Sequence, residues 1–171
     1  MIKIIGALFL VGGATVLGLS ASANLTVRAR SLELFSRALG IMRSEIGERL
    51  TPLDELMYKL SQISPSPIDA FFKQCFDEMK KKTDIPFGLI WTKNISHAEY
   101  LKLRPAESET LIALGNVLGR YGAEEQKTAI DHAVRCMDSM YLSAEKDKTR
   151  LGKLYAKLGL ICGIAVVIVF I

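Results

Sequence analysis

The residues of this chain best suited to act as bases, nucleophiles or metal ligands are two histidines and three cysteines. His97 and His132 lie 35 positions apart on different predicted helices, so we interpret each as a lone surface histidine. Cys75, Cys136 and Cys162 are odd in number and widely separated, which fits neither a disulfide framework nor a zinc site. These residues therefore predict no catalytic site, no metal site and no bound cofactor.

Charged residues offer two further candidates for chemistry. Glu124-Glu125 could act as a pair of carboxylates in acid–base catalysis, but at the start of a long helix they more simply suit the positive end of its dipole. Lys80-Lys81-Lys82 lies near a predicted helix end, where basic residues suit the negative end. Gly152-Lys153 lacks the upstream glycine and the following hydroxyl of a phosphate-binding loop. The sequence predicts neither an enzyme nor a nucleic-acid-binding protein.

Both ends of the chain are apolar enough to lie in a membrane. Residues 4–23 carry no charge over 20 positions, and residues 158–171 carry none up to the last residue. About 20 apolar residues cross the hydrocarbon core of a bilayer, and the second segment reaches that length if it begins near residue 152. We therefore predict transmembrane helices at 1–23 and 158–171 around a middle domain of residues 24–157.

Basic residues predict the side of the membrane on which the middle domain lies. They flank both apolar segments on the side of the middle domain, whereas Lys3 is the only basic side chain beyond them. The positive-inside rule then places the middle domain in the cytoplasm and both termini outside. The same basic collar would suit anionic lipid headgroups. It consists of Arg28, Arg30, Arg37, Lys146, Lys148, Arg150, Lys153 and Lys157.

A cleaved signal peptide is the alternative interpretation of the N-terminal segment. Lys3 would form its basic region, and Ala21-Ser22-Ala23 fits the small-residue pattern of a cleavage site. Cleavage there would leave a chain that starts at Asn24 and lies outside the cell as an exported, tail-anchored helical interaction module. Its basic residues would then lie on the outer side of the tail, against the usual bias.

The middle domain is predicted to be all-α, a bundle of about five to six helices, because apolar residues recur at helical spacing. Thr51 is predicted to cap a helix that Pro52 begins, and Pro105 to open a later one. Trp91, the only tryptophan, either covers the core or anchors at an interface. The predicted buried stripes are Leu32, Phe35, Leu39, Met42 and Ile46; Leu53, Leu56, Met57, Leu60 and Ile63; Ile68, Phe71, Phe72, Cys75, Phe76 and Met79; and Leu111, Leu114, Leu118 and Tyr121.

The last predicted helix, from about residue 124 to residue 171, contains no proline. A seven-residue apolar repeat runs along it and is interrupted at Asp147 and Lys148. Such a seam is typical of packing against another long helix, here the first helix of the chain or a helix of a partner. The repeat comprises Ile130, Met137, Ala144, Leu151 and Leu158.

Small residues lie four positions apart in both apolar ends. Gly159 and Gly163 form such a pair in the C-terminal segment, and Ala14 and Gly18 in the N-terminal one. Small faces of this kind let transmembrane helices approach closely. They predict packing of the two segments with each other or with other membrane subunits, including further copies of the chain.

Several short motifs follow one another in a defined order: Met1-Ile2-Lys3-Ile4-Ile5-Gly6-Ala7, Thr51-Pro52-Leu53, Trp91, the run from Leu114-Gly115 through Leu118-Gly119 to Gln126, and Leu154-Tyr155-Ala156-Lys157-Leu158-Gly159-Leu160 before the apolar tail. Their order and spacing, over nearly the whole chain, resemble the stage III sporulation protein AB family of endospore-forming bacteria. That family usually has an acidic residue soon after Leu-Gly, where this chain has Arg120-Tyr121-Gly122-Ala123 before Glu124.

The resemblance implies a non-enzymatic membrane platform in the complex assembled between mother cell and forespore. The family is similar to inner-membrane platform proteins of type II secretion and type IV pilus systems, whose cytoplasmic helical domains contact a hexameric ATPase. The implied partners are an ATPase similar to stage III sporulation protein AA, other membrane subunits of the same complex and the lipid bilayer. The implied location is the outer forespore membrane, with the middle domain on the mother-cell side. The resemblance identifies no binding residue.

Overall fold

The computed structural model describes the backbone of residues 2–81 and 84–170, and the side chains of residues 13, 16, 18–81, 84–151 and 154. In these residues the chain has six α-helices, one 3-10 turn and no strand, which confirms the all-α prediction. The helices are α1 (Ile2–Gly47), α2 (Leu53–Ile63), α3 (Ile68–Lys81), α4 (Phe87–Ser96), α5 (Pro105–Gly115) and α6 (Ala123–Phe170), and the 3-10 turn covers Glu99–Leu101.

The chain divides into two compact units, one comprising Met1–Ala29 with Leu142–Ile171 and the other comprising Arg30–Tyr141. In the first unit Arg28 is buried, and its Nη1 donates to Asp147 Oδ2 at 3.2 Å. This ion pair explains why a carboxylate interrupts the apolar repeat of the last helix. It also corrects the predicted role of Arg28, because a buried guanidinium that pairs with a carboxylate does not face lipid headgroups.

The predicted transmembrane segments, 1–23 and 158–171, fall largely outside the described side chains. Among the residues whose placement the structure describes, no helix is sufficiently long and apolar to cross a bilayer.

Aromatic side chains form the centre of the second unit. The ring of Trp91 lies 4.8 Å from that of Phe71 and 5.7 Å from that of Phe87, measured between centroids. Phe71 in turn lies 5.4 Å from Phe35 of α1, with the two rings edge to face. Such geometry adds to the burial of apolar area. Trp91 is fully buried, so it belongs to the core and is not an interface anchor.

The long helices α1 and α6 contact each other within the second unit. Ser36 donates a hydrogen bond to Asp138, and Arg43 forms an ion pair with Asp131 further along. Because the residue numbers rise on α1 while they fall on α6, the two helices run antiparallel there. Side chains of both helices are buried along this stretch, among them Leu39 and Met42 of α1 and Met137 of α6, so the first helix is one partner against which the last helix packs, as predicted.

The predicted burial is wrong for two residues of these stripes. Ile63 and Tyr121 are each 51% exposed. Ile63 is the last residue of α2, so the face that it would occupy runs off the helix end. Tyr121 follows α5, which already ends at Gly115, and helical spacing no longer describes its direction.

The start of α2 also differs from the prediction. The helix begins at Leu53 with Pro52 as its N-cap, and no side chain caps it. The hydroxyl of Thr51 donates instead to Glu45 Oε2 at 2.8 Å. Glu45 lies in the last turns of α1 and is buried, so Thr51 satisfies a buried carboxylate rather than the free N–H groups of α2.

Candidate docking groove

A close contact between a tryptophan and a glycine fixes α5 on α4. A Cβ added at Gly115 would lie 2.2 Å from Cδ1 of Trp91, so only glycine lets the indole lie against the helix backbone. The indole Nε1–H donates to the Leu111 carbonyl oxygen at 2.7 Å. On the other side, a Cβ at Gly88 would lie 2.8 Å from the Gly115 carbonyl oxygen. Helices α4 and α5 therefore approach each other closely at Gly115.

The turn after α5 is held by a glutamine from the first turns of α6. Gly119 has a φ of 73°, a left-handed conformation that glycine adopts without strain. Its N–H donates to Gln126 Oε1 at 3.1 Å, and Gln126 Nε2 donates to the Tyr121 carbonyl oxygen at 2.8 Å. Gln126 therefore fixes the direction in which the chain enters α6.

These two fixed points leave a groove between α5 and the first turns of α6. Its volume is about 1010 Å³, and it lies entirely within the second unit. Small and medium-sized side chains from both helices form most of its surface. The lining residues are Ala106, Glu109, Thr110, Ala113, Leu114 and Val117 before the turn, Tyr121 in it, and Glu124, Glu125, Thr128, Ala129, His132 and Ala133 on α6.

The charged residues that line the groove are acidic. Glu109, Glu124 and Glu125 are all exposed, and among the lining residues that the structure describes there is no lysine or arginine. Lys127 lies 3.7 Å from Glu124 Oε2, a long contact to a carboxylate that is 80% exposed. Such an exposed pair holds the carboxylate weakly. Three carboxylates therefore remain accessible to a basic ligand.

Histidine in the groove has one sulfur neighbour. His132 lies one helical turn before Cys136, and the Cys136 Sγ is 3.8 Å from its Nε2. Both histidines of the chain are exposed, as predicted, but His132 borders the groove whereas His97 Nδ1 lies 2.8 Å from the Lys93 carbonyl oxygen of its own helix. Across the described residues, no group of three or more histidine, cysteine or acidic side chains could hold a metal ion.

A smaller concavity of about 220 Å³ adjoins the same start of α6, on the side of the α1–α2 junction. Leu50 borders it in a left-handed conformation, with a φ of 52°, and is 70% exposed. Beneath it the Glu45 carboxylate accepts from Lys59 Nζ and from Arg49 Nη1, each at 2.8 Å. The Lys59 hydrogen bond, followed by that from Thr51, holds the pKa of Glu45 below its usual range despite burial.

Three of the motifs singled out in the sequence, Thr51-Pro52-Leu53, Trp91 and the run from Leu114 to Gln126, therefore lie close together near the start of α6. Trp91, Gly115, Gly119 and Gln126 shape the groove, and Thr51-Pro52-Leu53 line the smaller concavity. The helix packing expected at the small residues of the two apolar ends stays a prediction. Gly18 lies partly exposed in α1, while the environments of Ala14, Gly159 and Gly163 lie outside the described side chains.

The groove itself was not predicted from the sequence. The sequence pattern suits Glu124 and Glu125 to the dipole of the helix and indicates no joint role for Glu109 and His132. One signal was present, because α5 carries small apolar residues outside its predicted stripe, and two of them, Ala106 and Ala113, are exposed in the groove. Apolar residues on a second face of a helix indicate that this face also meets a partner surface.

Comparison with known proteins identifies the family of the chain. The family profile described as "Stage III sporulation protein AB (spore_III_AB)" matches residues 3–171. A curated relative, "Stage III sporulation protein AB" of Bacillus subtilis (strain 168), is 24% identical over 169 residues, which cover 98% of each chain. No solved structure matches the chain significantly. Because the family profile covers nearly the whole sequence, the chain belongs to the stage III sporulation protein AB family.

Proposed function

We propose that this chain is a non-enzymatic platform in the membrane complex of sporulation, and that its middle domain docks the cytoplasmic ATPase of that complex. The single observation that carries this proposal is the open groove between α5 and α6. It has an apolar floor and an accessible acidic rim, and it is shaped by the residues on which the family resemblance rests. An open apolar surface with a polar rim is suited to binding another protein.

The two uncharged ends support a membrane anchor on both sides of the middle domain. Helices α1 and α6 include these segments, and basic residues lie next to each on the side of the middle domain. In this proposal residues 1–23 and 158–171 cross the outer forespore membrane, and residues 24–157 face the mother-cell cytoplasm. The middle domain would then lie on the side where ATP and an ATPase are found.

Recovery of partners from sporulating cells tests the proposal. The tagged full-length protein is solubilised in detergent and purified, and the proteins that come with it are identified by mass spectrometry. We expect a secretion-type ATPase similar to stage III sporulation protein AA, together with membrane subunits. Recovery of extracytoplasmic envelope proteins alone, from cells in which the ATPase is plainly expressed, would contradict the docking role.

N-terminal sequencing of the same sample tests the topology. An intact N-terminus, with the middle domain digested by protease only after the cells are permeabilised, is the expected result. A mature chain that begins at Asn24 would instead identify the protein as an exported, tail-anchored module.

A further inference from the structure

The dimensions of the groove point to the class of partner segment that binds there. On α6 the lining runs from Glu124 to Ala133, which is about 15 Å at 1.5 Å per residue, or about three helical turns. Alanines at positions 106, 113, 129 and 133 keep side-chain bulk low between the two helices. Because the distance between packed helices depends on the side chains at the contact, this floor would let a third helix approach both α5 and α6.

The charges around the groove determine which helix would bind. The chain as a whole carries a net charge of +4, yet the charged groove residues Glu109, Glu124 and Glu125 are all acidic. A second copy that bound groove to groove would bring these carboxylates against one another, and an anionic membrane would be repelled. A helix with basic residues beside its apolar face would place positive charges next to the rim.

We propose that the groove binds an amphipathic helix of a partner protein, with its apolar face between α5 and α6 and lysine or arginine residues next to Glu109, Glu124 and Glu125. This inference rests on the proposed docking function, because it names the segment by which the partner would be held. Helix-in-groove recognition of this kind obtains affinity from the apolar face and orientation from the flanking charges.

Two synthetic peptides test the inference directly. Each is a labelled amphipathic helix of about 18 residues with alanine and leucine on one face, long enough to populate a helix in solution. One carries lysines beside the apolar face, and the other carries glutamates at the same positions. Binding to the full-length chain in phosphatidylcholine nanodiscs is measured by fluorescence anisotropy, with empty nanodiscs as the blank. We expect the lysine peptide to bind, and its affinity to fall as the salt concentration rises from about 50 to about 200 mM.

Charge reversal identifies the binding surface. The double variant Glu124→Lys/Glu125→Lys should lower the affinity for the lysine peptide about tenfold or more. Its matched control is Asp54→Lys/Glu55→Lys, which reverses two adjacent exposed carboxylates in the first turn of α2, neither of which lines the groove. The control should leave affinity nearly unchanged. Unaltered Trp91 emission verifies that each variant is folded. If the double variant Glu124→Lys/Glu125→Lys does not fold, the single variant Glu109→Lys on α5 takes its place.

Several results would overturn the inference. These are no binding of the lysine peptide, equal binding of both peptides, or equal weakening by the groove variant and its control. A dimer of the unliganded chain that the groove reversal dissociates would show that the groove is an interface between copies of the chain.

The same variants separate this inference from the proposed function. If wild type and the groove variant recover the ATPase equally, docking stands but occurs elsewhere. If the groove binds the lysine peptide while wild type recovers no ATPase, the peptide result stands and the docking role fails.

Discussion

Replacement of Gly115 by alanine should destabilise this protein strongly, although the same change in a helix usually stabilises. The added Cβ would lie 2.2 Å from Cδ1 and 2.7 Å from Cγ of Trp91. The indole cannot move away, because Phe71 and Phe87 pack against it and its Nε1–H is bonded to the Leu111 carbonyl oxygen. Helix α5 must therefore move away from α4, and because Leu111 lies on α5 this movement also breaks the hydrogen bond.

The expected loss follows from two costs and one gain. Overpacking a well-filled core costs about 1–3 kcal/mol. Leaving the buried indole N–H without its acceptor costs about 1–3 kcal/mol more. Alanine recovers at most about 1 kcal/mol of helix propensity, and less at Gly115 because this residue ends α5. Taken at mid-range, these terms give a net loss in the free energy of unfolding of about 2–4 kcal/mol, which at about 2–4 °C per kcal/mol for a chain of this size lowers the melting temperature by about 4–16 °C.

Gly40 provides the matched control, because it lies inside α1 and an added Cβ would meet nothing within 4 Å. Gly40→Ala should raise stability by up to about 1 kcal/mol. Both variants of the full-length chain are compared in detergent by far-ultraviolet circular dichroism on heating. Trp91, the only tryptophan, reports the core through its emission, which should shift toward that of exposed indole in Gly115→Ala alone.

The reasoning would be refuted if Gly115→Ala melted within a degree or two of wild type, or rose together with Gly40→Ala. Either result would mean that α5 can shift against Trp91 without loss. The indole would then not fix the position of α5 or the shape of the groove beside it.

Three further predictions concern the α1–α2 junction, the turn after α5 and a buried phenol. Because Lys59 and the neighbouring donors lower the pKa of Glu45 from 4.5, its stabilising effect is complete above that pH and is lost as pH falls through the lowered value. Between about pH 6 and about pH 3 the melting temperature should therefore fall less in Glu45→Gln than in wild type. Parallel plots of melting temperature against pH would contradict this expectation. Gly119→Ala should lower the urea midpoint by an amount equivalent to about 1–2 kcal/mol, since alanine is strained at a φ of 73°, and an unchanged midpoint would exclude that strain. Burial raises the pKa of Tyr100 to about 12 from 10.0. The contribution of its neutral phenol to the free energy of unfolding is therefore complete below pH 10.0 and is lost as pH rises through about 12. Tyr100→Phe should make stability fall less steeply at alkaline pH than it does in wild type, and an equally steep fall would contradict the burial of this phenol.

Helix content and most of the core could be predicted because they depend on local spacing. The α1 stripe is buried as expected, since a continuous helix keeps every third or fourth side chain on one face. The same rule failed at Ile63 and Tyr121, where the helix ends at or before the residue and the period no longer applies. The cap at Thr51 failed for another reason, because a buried carboxylate six positions earlier competes for its hydroxyl.

The candidate site depends on contacts between elements far apart in the sequence. Glu109 and Glu124 lie on different helices, and they border one groove because Trp91 fits against Gly115 and Gln126 closes the turn at Gly119. No local pattern contains that geometry. The sequence contained only an indirect sign, the small apolar residues on the second face of α5.

The sequence by itself determined the all-α class, the buried stripes of the long helices and the family to which the chain belongs, because periodicity and motif order are properties of the chain alone. The tertiary structure decided that Trp91 belongs to the core and packs against Gly115, that Arg28 pairs with Asp147, and that acidic side chains from two helices share one surface. These outcomes depend on which faces meet after the helices pack, and packing sums contacts over the whole unit rather than over neighbouring residues.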